Sequence, residues 1–225
     1  MTSARIFKLF IVLLISIASL SVKAQTQALV RGLYLSADVF GYLCPLFMKD
    51  AYYSSEVSAT LNIANRFLPV AEVGMGHTDM VSHTDMVSQL YDIGYSTRAP
   101  YYRIGMDYNM QYESEKPGYI YLGARVGYTS FDYSVDAPPL VDPVWGDEAP
   151  VLWTDVPCRA VWAEAVGGVR AEVARNLCMG WSLRYKYPLH CGPISNGGPW
   201  YIPGFGAGKS GVLGATYTIS YYFKL

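Results

Sequence analysis

"LGATYTISYYFKL", residues 213–225, decides the fold. Its odd positions read Leu213, Ala215, Tyr217, Ile219, Tyr221, Phe223 and Leu225. Its even positions read Gly214, Thr216, Thr218, Ser220, Tyr222 and Lys224. A period of two with one apolar and one mostly polar face marks a β-strand, because successive side chains point to opposite faces of the pleat.

Towards the N-terminus the same alternation predicts seven more strands, over 32–39, 56–63, 71–76, 103–110, 120–129, 163–171 and 179–186. The connections alternate in length. Short ones fall near 65–68, 112–118 and 174–176, and long ones at 41–55, 77–100, 131–158 and 188–210. An even number of strands with tight turns at one end and long loops at the other is the layout of an outer-membrane barrel, with both termini at the periplasmic end.

Alternation alone does not say which face is inside, since a soluble lipocalin-like barrel also alternates with its apolar face inward. The charges decide. The eight apolar faces carry none, while the opposite faces hold Asp38, Glu56, Glu72, Asp107 and Glu164 with Arg103, Arg125, Arg170, Arg184, Lys186 and Lys224. Tyr108, Tyr128, Tyr185, Tyr221 and Phe223 fall near the ends of apolar faces, where membrane girdles belong. The expected fold is all-β: an eight-stranded antiparallel transmembrane barrel of the outer membrane, with four long outer loops.

The first residues fit that destination. Arg5 and Lys8 precede an apolar run, "LFIVLLISIASL" at 9–20, and Val22 and Ala24 stand where a signal peptidase reads small residues. A signal peptide over 1–24 is expected, with cleavage before Gln25 and the barrel domain over 25–225. A lipid anchor would need Cys where Gln25 stands. Removing Arg5, Lys8 and Lys23 from the 17 basic residues leaves 14 against 18 acids. That balance gives no footprint for nucleic acid, whose binders carry basic stripes. Twenty Tyr and 21 Gly with few charges fit a β-rich, aromatic protein.

Several stretches carry a family likeness: "RIGMDYNM" (103–110), "YLGARVGYTSF" (121–131), "WAEAVGGVRAEVARNLCMGWSL" (162–183), and above all "WYIPGF" (200–205) leading into "YTISY" (217–221). They resemble a family of small outer-membrane β-barrel proteins of unknown function from Bacteroidota. The resemblance implies location and fold and carries over no active site. The duplicated word "HTDMVSHTDMVS" (77–88) and the four Cys are not part of the pattern.

Eight strands leave a lumen just wide enough for side chains to fill. Asp38, Glu56, Glu72, Asp107, Glu164, Arg103, Arg125, Arg170, Arg184 and Lys186 are therefore expected to pair as an ion-pair plug, since an unpaired buried ion costs several kcal/mol. His77, His83 and His190 fall in expected outer loops, so catalysis by a Ser or Asp with a His in reach would rest on undefined geometry. In a strand, His77 and His83 would share one face about 20 Å apart, too far for one ion. The repeat therefore reads as a duplication at a tolerant loop tip. The acid-rich stretch 131–158 has no EF-hand-like spacing and is broken by Pro138, Pro139, Pro143 and Pro150. No metal or cofactor is expected. Trp145 and Trp153, with Trp200, Tyr201 and Phe205, are candidates for an exposed contact patch.

Export permits disulfides. Antiparallel pairing about a turn at Arg175 and Asn176 sets Cys158 opposite position 193, two from Cys191, so this pair is the candidate disulfide, with four unpaired thiols as the alternative; Cys178 lies at the other end of its strand. The reading is a non-enzymatic structural or interaction protein with a closed lumen, whose partners are outer-membrane lipid and an envelope protein. The alternatives are an outer-membrane enzyme acting on lipid or lipopolysaccharide, and a narrow channel.

Overall fold

The computed structural model describes residues 29–41, 53–86, 89–114, 118–141, 148–192, 198–207 and 210–225; the expected signal peptide, Cys44, Asp142 and Trp145 lie outside them. Eight strands close a barrel: β1 (Val30–Asp38), β2 (Tyr53–Ile63), β3 (Phe67–Met86), β4 (Gln89–Asn109), β5 (Gly118–Val141), β6 (Glu148–Ala174), β7 (Leu177–Gly192) and, after a small hairpin of β8 (Tyr201–Ile202) and β9 (Gly206–Ala207), β10 (Val212–Lys224). Every neighbour is antiparallel, and β1 closes the ring on β10 with Leu35 facing Tyr221. At one end the turns are tight. Ala64 and Asn65 hold φ of 53° and 60°, and the Asn65 amide donates to Asn62 Oδ1 at 3.0 Å.

Burial follows the alternation. On β5, Tyr119, Tyr121, Arg125, Gly127 and Thr129 point in and are buried, while Ile120, Leu122, Ala124, Val126 and Tyr128 point out and are exposed. Exposed Ile104 on β4, Trp181 and Leu183 on β7 and Leu213 on β10 extend the same apolar belt around the ring. Apolar outside and charged inside reverses a soluble protein and is the distribution of a barrel that spans a membrane. The outward run from Ile120 to Tyr128 matches the roughly 9–11 residues that a tilted strand needs to cross.

The fold class agrees with the sequence, but the expected long loops at 77–100 and 131–158 are corrected. Their described residues, 77–86, 89–100, 131–141 and 148–158, continue β3, β4, β5 and β6 past the barrel as a sheet, with β3 paired to β4 from Phe67 through to Met86. The apolar pattern does not end there; it inverts. Above Thr129 the inward side of β5 carries Phe131, Tyr133 and Val135, all buried, and the outward side carries exposed Ser130, Asp132 and Asp136. Strands β4 and β6 do the same, with Ala99 and Tyr95 in and Arg98 and Ser96 out on β4, and Cys158 and Ala160 in and Arg159 and Pro157 out on β6. Outside the membrane the outer face meets water, so polar side chains belong there and the apolar ones turn inward.

Two bulges adjust the β6–β7 pair. Val173 is skipped beside the turn and Leu189 near the far end, so Trp162 faces Pro188 but Val161 faces His190. Each bulge switches which face of its strand the following residues join.

Candidate functional site

The lumen is built in three layers. At the tight-turn end, Tyr34, Tyr119, Tyr121, Leu68, Val166 and Cys178 form a floor. The Arg170 guanidinium lies 4.6 Å above the Tyr34 ring, and its Nη1 donates to the Tyr119 hydroxyl at 2.9 Å. Above the floor, strand alternation delivers one charged residue after another to the same inward face. Glu72 sits at the centre, 2.8 Å from Arg184 and 3.0 Å from each of Arg103 and Arg125. Arg103 also reaches Glu56, and Glu164 at 2.9 Å. Arg184 spans Glu56 at 3.2 Å and Glu164 at 3.6 Å, and Arg125 holds Asp107 at 3.0 Å. The Trp162 indole donates to Glu164 at 2.6 Å, and the Tyr101 hydroxyl to Glu56 at 3.0 Å.

Of the ten residues expected in the lumen network, the structure joins seven by ion pairs: Glu56, Glu72, Arg103, Asp107, Arg125, Glu164 and Arg184. The other three face inward with different partners. Asp38 accepts the backbone amides of Phe40 at 3.0 Å and Tyr217 at 3.3 Å. Arg170 belongs to the aromatic floor. Lys186 reaches upward, donating to the carbonyls of Gly204 at 2.7 Å and Phe205 at 3.1 Å.

Those carbonyls belong to the third layer. "WYIPGF" does not project outward. Ile202, Pro203, Gly204 and Phe205 form a turn in which the Phe205 amide donates to the Ile202 carbonyl at 3.0 Å and Gly204 holds φ of 80°. Pro at the second and Gly at the third position of such a turn is a type II signature. Gly204 lies against the Tyr101 ring, where a Cβ would come within 2.4 Å of Cγ. Its carbonyl also accepts Arg103 Nη2 at 2.9 Å. The turn is thus stitched to the ion pairs beneath it as a plug in the barrel mouth. A cavity of about 350 Å³ remains beside it, lined by Asp38, Glu56, Arg184, Lys186 and plug residues.

The expected contact patch is corrected accordingly. Tyr201 and Phe205 are buried, at 3% and 1% exposure, in the aromatic cluster of the rim, and Trp153 packs half-buried against it. Trp200 keeps 37% exposure but stacks on Tyr95 at 5.7 Å, whose hydroxyl donates to the Tyr201 carbonyl at 2.8 Å. Charge signals alone missed Tyr95, Tyr101 and Trp162. Their shared parity with Arg103 and Glu164 would have placed them inward, and the Pro203–Gly204 dipeptide would have marked the turn.

Among the described residues the histidines do not gather. His77 lies on β3 with Nε2 3.0 Å from Asp79 Oδ2, and His190 is on β7. The described part of the duplicated word, 77–86, is strand rather than loop. Along β3, positions 77 and 83 stand about 20 Å apart. Cys158 and Cys191 do meet, with sulfurs 3.7 Å apart at the rim, and Cys178 lies in the floor.

Among solved structures, the chain is similar to Ail, the attachment invasion locus protein of Yersinia pestis, solved in complex with the heparin analogue sucrose octasulfate. That match has 8% identity, covers 86% of this chain and 99% of that one, and has a TM-score of 0.43. It is also similar to CarO2 of Acinetobacter baumannii, with 9% identity, 88% and 100% coverage and a TM-score of 0.40. No curated protein matches the sequence. The model of the family described as Domain of unknown function (DUF6048) matches residues 4–225, nearly the whole length, and the chain belongs to that family.

Proposed function

We propose that this protein is a non-enzymatic barrel of the outer membrane of a Gram-negative bacterium, of the Bacteroidota as the family resemblance implies, and that it presents its projecting sheet to a partner in the envelope. One observation carries the reading: four strands run well past the membrane as a paired sheet while the lumen beneath them is filled. Counting from Thr129, β5 alone continues for about 40 Å at roughly 3.3 Å per residue. A sheet of that reach, with Ser96, Arg98, Asp132 and Arg159 exposed on its outer side, is a surface for contact.

The filled lumen argues against a channel, because its charged side chains bind one another and the plug rather than a passing ion. The reading assigns no catalysis. Its role is structural or interactive, with lipid around the belt and a protein partner at the sheet.

The test places a photo-reactive residue at Ser96 or Asp132 in living cells, with a control at Leu122 in the belt. The reading expects one envelope protein crosslinked at the sheet positions and not at Leu122, and loss of the Asp132 product when the 78–97 hairpin is cut back to the rim. Crosslinks to lipid or lipopolysaccharide alone, with turnover lost on replacing His77 or His190, would favour the enzyme. Steady conductance in planar bilayers would favour the channel.

A further inference from the structure

We propose that Cys158 and Cys191 are joined by a disulfide that fastens the barrel rim to the root of the plug-bearing segment. Their sulfurs stand 3.7 Å apart on the same inner face, Cys158 fully buried and Cys191 packed against the same aromatic cluster. The bulge at Leu189 makes this meeting possible. On β7 the inward residues are Cys178, Gly180, Ser182 and Arg184; without the bulge Cys191, an odd position, would point outward beside Arg159. With it, Cys191 pairs with Ala160 and turns towards Cys158. The remaining closure, to a bond of about 2.05 Å, needs side-chain rotation and a small shift where β7 ends one residue later at Gly192.

The chemistry is a thiol–disulfide exchange with a disulfide-bearing oxidant of the export compartment. One cysteine thiolate attacks the oxidant's disulfide and expels a thiolate from it. The second cysteine then attacks the mixed disulfide, expelling the other. The two cysteines lose two protons and two electrons, and the oxidant leaves as a dithiol. Burial, and next the neighbouring Cys191, push the Cys158 thiol up to about 12, so its thiolate is scarce once the rim has packed. The exchange therefore belongs to assembly, before the aromatic cluster closes.

The bond's position gives it a task. Strand β7 ends at Gly192, next to Cys191, and Trp200 stacks on Tyr95 at the plug. Tying Cys191 to β6 fixes where that segment departs.

The proposal rests on the exported location inferred above, and the two fail separately. Protein is recovered from membranes of cells with an intact thiol-oxidation system, quenched in acid, denatured, alkylated with a maleimide and mapped without reductant. Denaturing first keeps burial from passing as a bond. The expected result is a Cys158–Cys191 linked peptide in most molecules, with Cys158 becoming alkylatable in the Cys191→Ser variant. Both thiols alkylated in protein that has reached the membrane, or Cys158 linked to Cys44 or Cys178, overturns the bond alone. In the folded barrel, Cys191→Ser should speed protease cleavage within 193–211 several-fold; an unchanged rate overturns the fastening role.

Discussion

Between Tyr119 and Thr129 the inner side of β5 is polar, holding Arg125 among ion pairs, and the outer side is Ile120, Leu122, Ala124, Val126 and Tyr128. Between Phe131 and Val135 the same inner side is apolar and buried, and the outer side carries Ser130 and Asp132. The backbone and its pairing with β6 run through both halves, with a register shift only at Ser134 between them and the end of the rim cluster. The difference teaches that the alternation reports the medium around a strand, and the strand's existence only indirectly. In lipid the outer face must be apolar and the lumen collects what is polar; in water the ordinary arrangement returns. The inversion therefore draws the membrane's outer boundary through Thr129 on β5, and near Tyr101 on β4 and Val161 on β6.

The largest effect is expected inside the lumen. Arg125→Ala removes the cation 3.0 Å from both Glu72 and Asp107. The loss should be about 3 to 5 kcal/mol, because a buried carboxylate is left without its partner. Heat-modified mobility of the barrel in detergent measures it, and wild-type resistance would mean that the lumen is wetter than its packing indicates.

Next comes the belt. Ala124→Arg places a charge at the middle of the outer face of β5, and should cost about 2 to 4 kcal/mol in lipid vesicles. A neutral result would mean that this face does not lie in lipid.

A smaller effect is expected at the plug. Lys186→Met deletes the donor to the Gly204 and Phe205 carbonyls at nearly constant length. Hydrogen bonds from charged groups contribute about 1.5 to 3 kcal/mol, and the loss should appear as faster proteolysis within 198–207 while the barrel stays folded. The smallest is Asp132→Arg, the same incoming side chain as at Ala124 but above the boundary. It should change stability by less than about 0.5 kcal/mol. A large penalty there would move the boundary outward and undo the inversion.

Much of the barrel was legible in the sequence because its two solvents are so unlike. The eight apolar faces, their freedom from charge, and the inward placing of Glu72, Arg103, Arg125 and Arg184 follow from period two and the cost of a charge in lipid. The projecting strands were not legible as strands. Search for an apolar face stops where Tyr128 gives way to Thr129, since beyond it the apolar residues change sides and the acids of 132–136 look like loop. The extension of β3 is harder still: Thr78 and Met80 face in while His77, Asp79 and Val81 face out, so neither side is uniformly apolar.

The sequence by itself determined a closed, membrane-spanning ring with a charged interior, because side-chain alternation and transfer free energy act residue by residue and need no knowledge of neighbours. Tertiary structure alone decided the partners. That Glu72 answers three arginines from β4, β5 and β7, that Lys186 holds plug carbonyls rather than a carboxylate, that "WYIPGF" folds inward, and that a bulge at Leu189 turns Cys191 towards Cys158 all depend on strand register and on where a connecting segment finds room. Those are properties of the closed ring, in which residues distant in sequence share one narrow space, and local pattern carries no record of them.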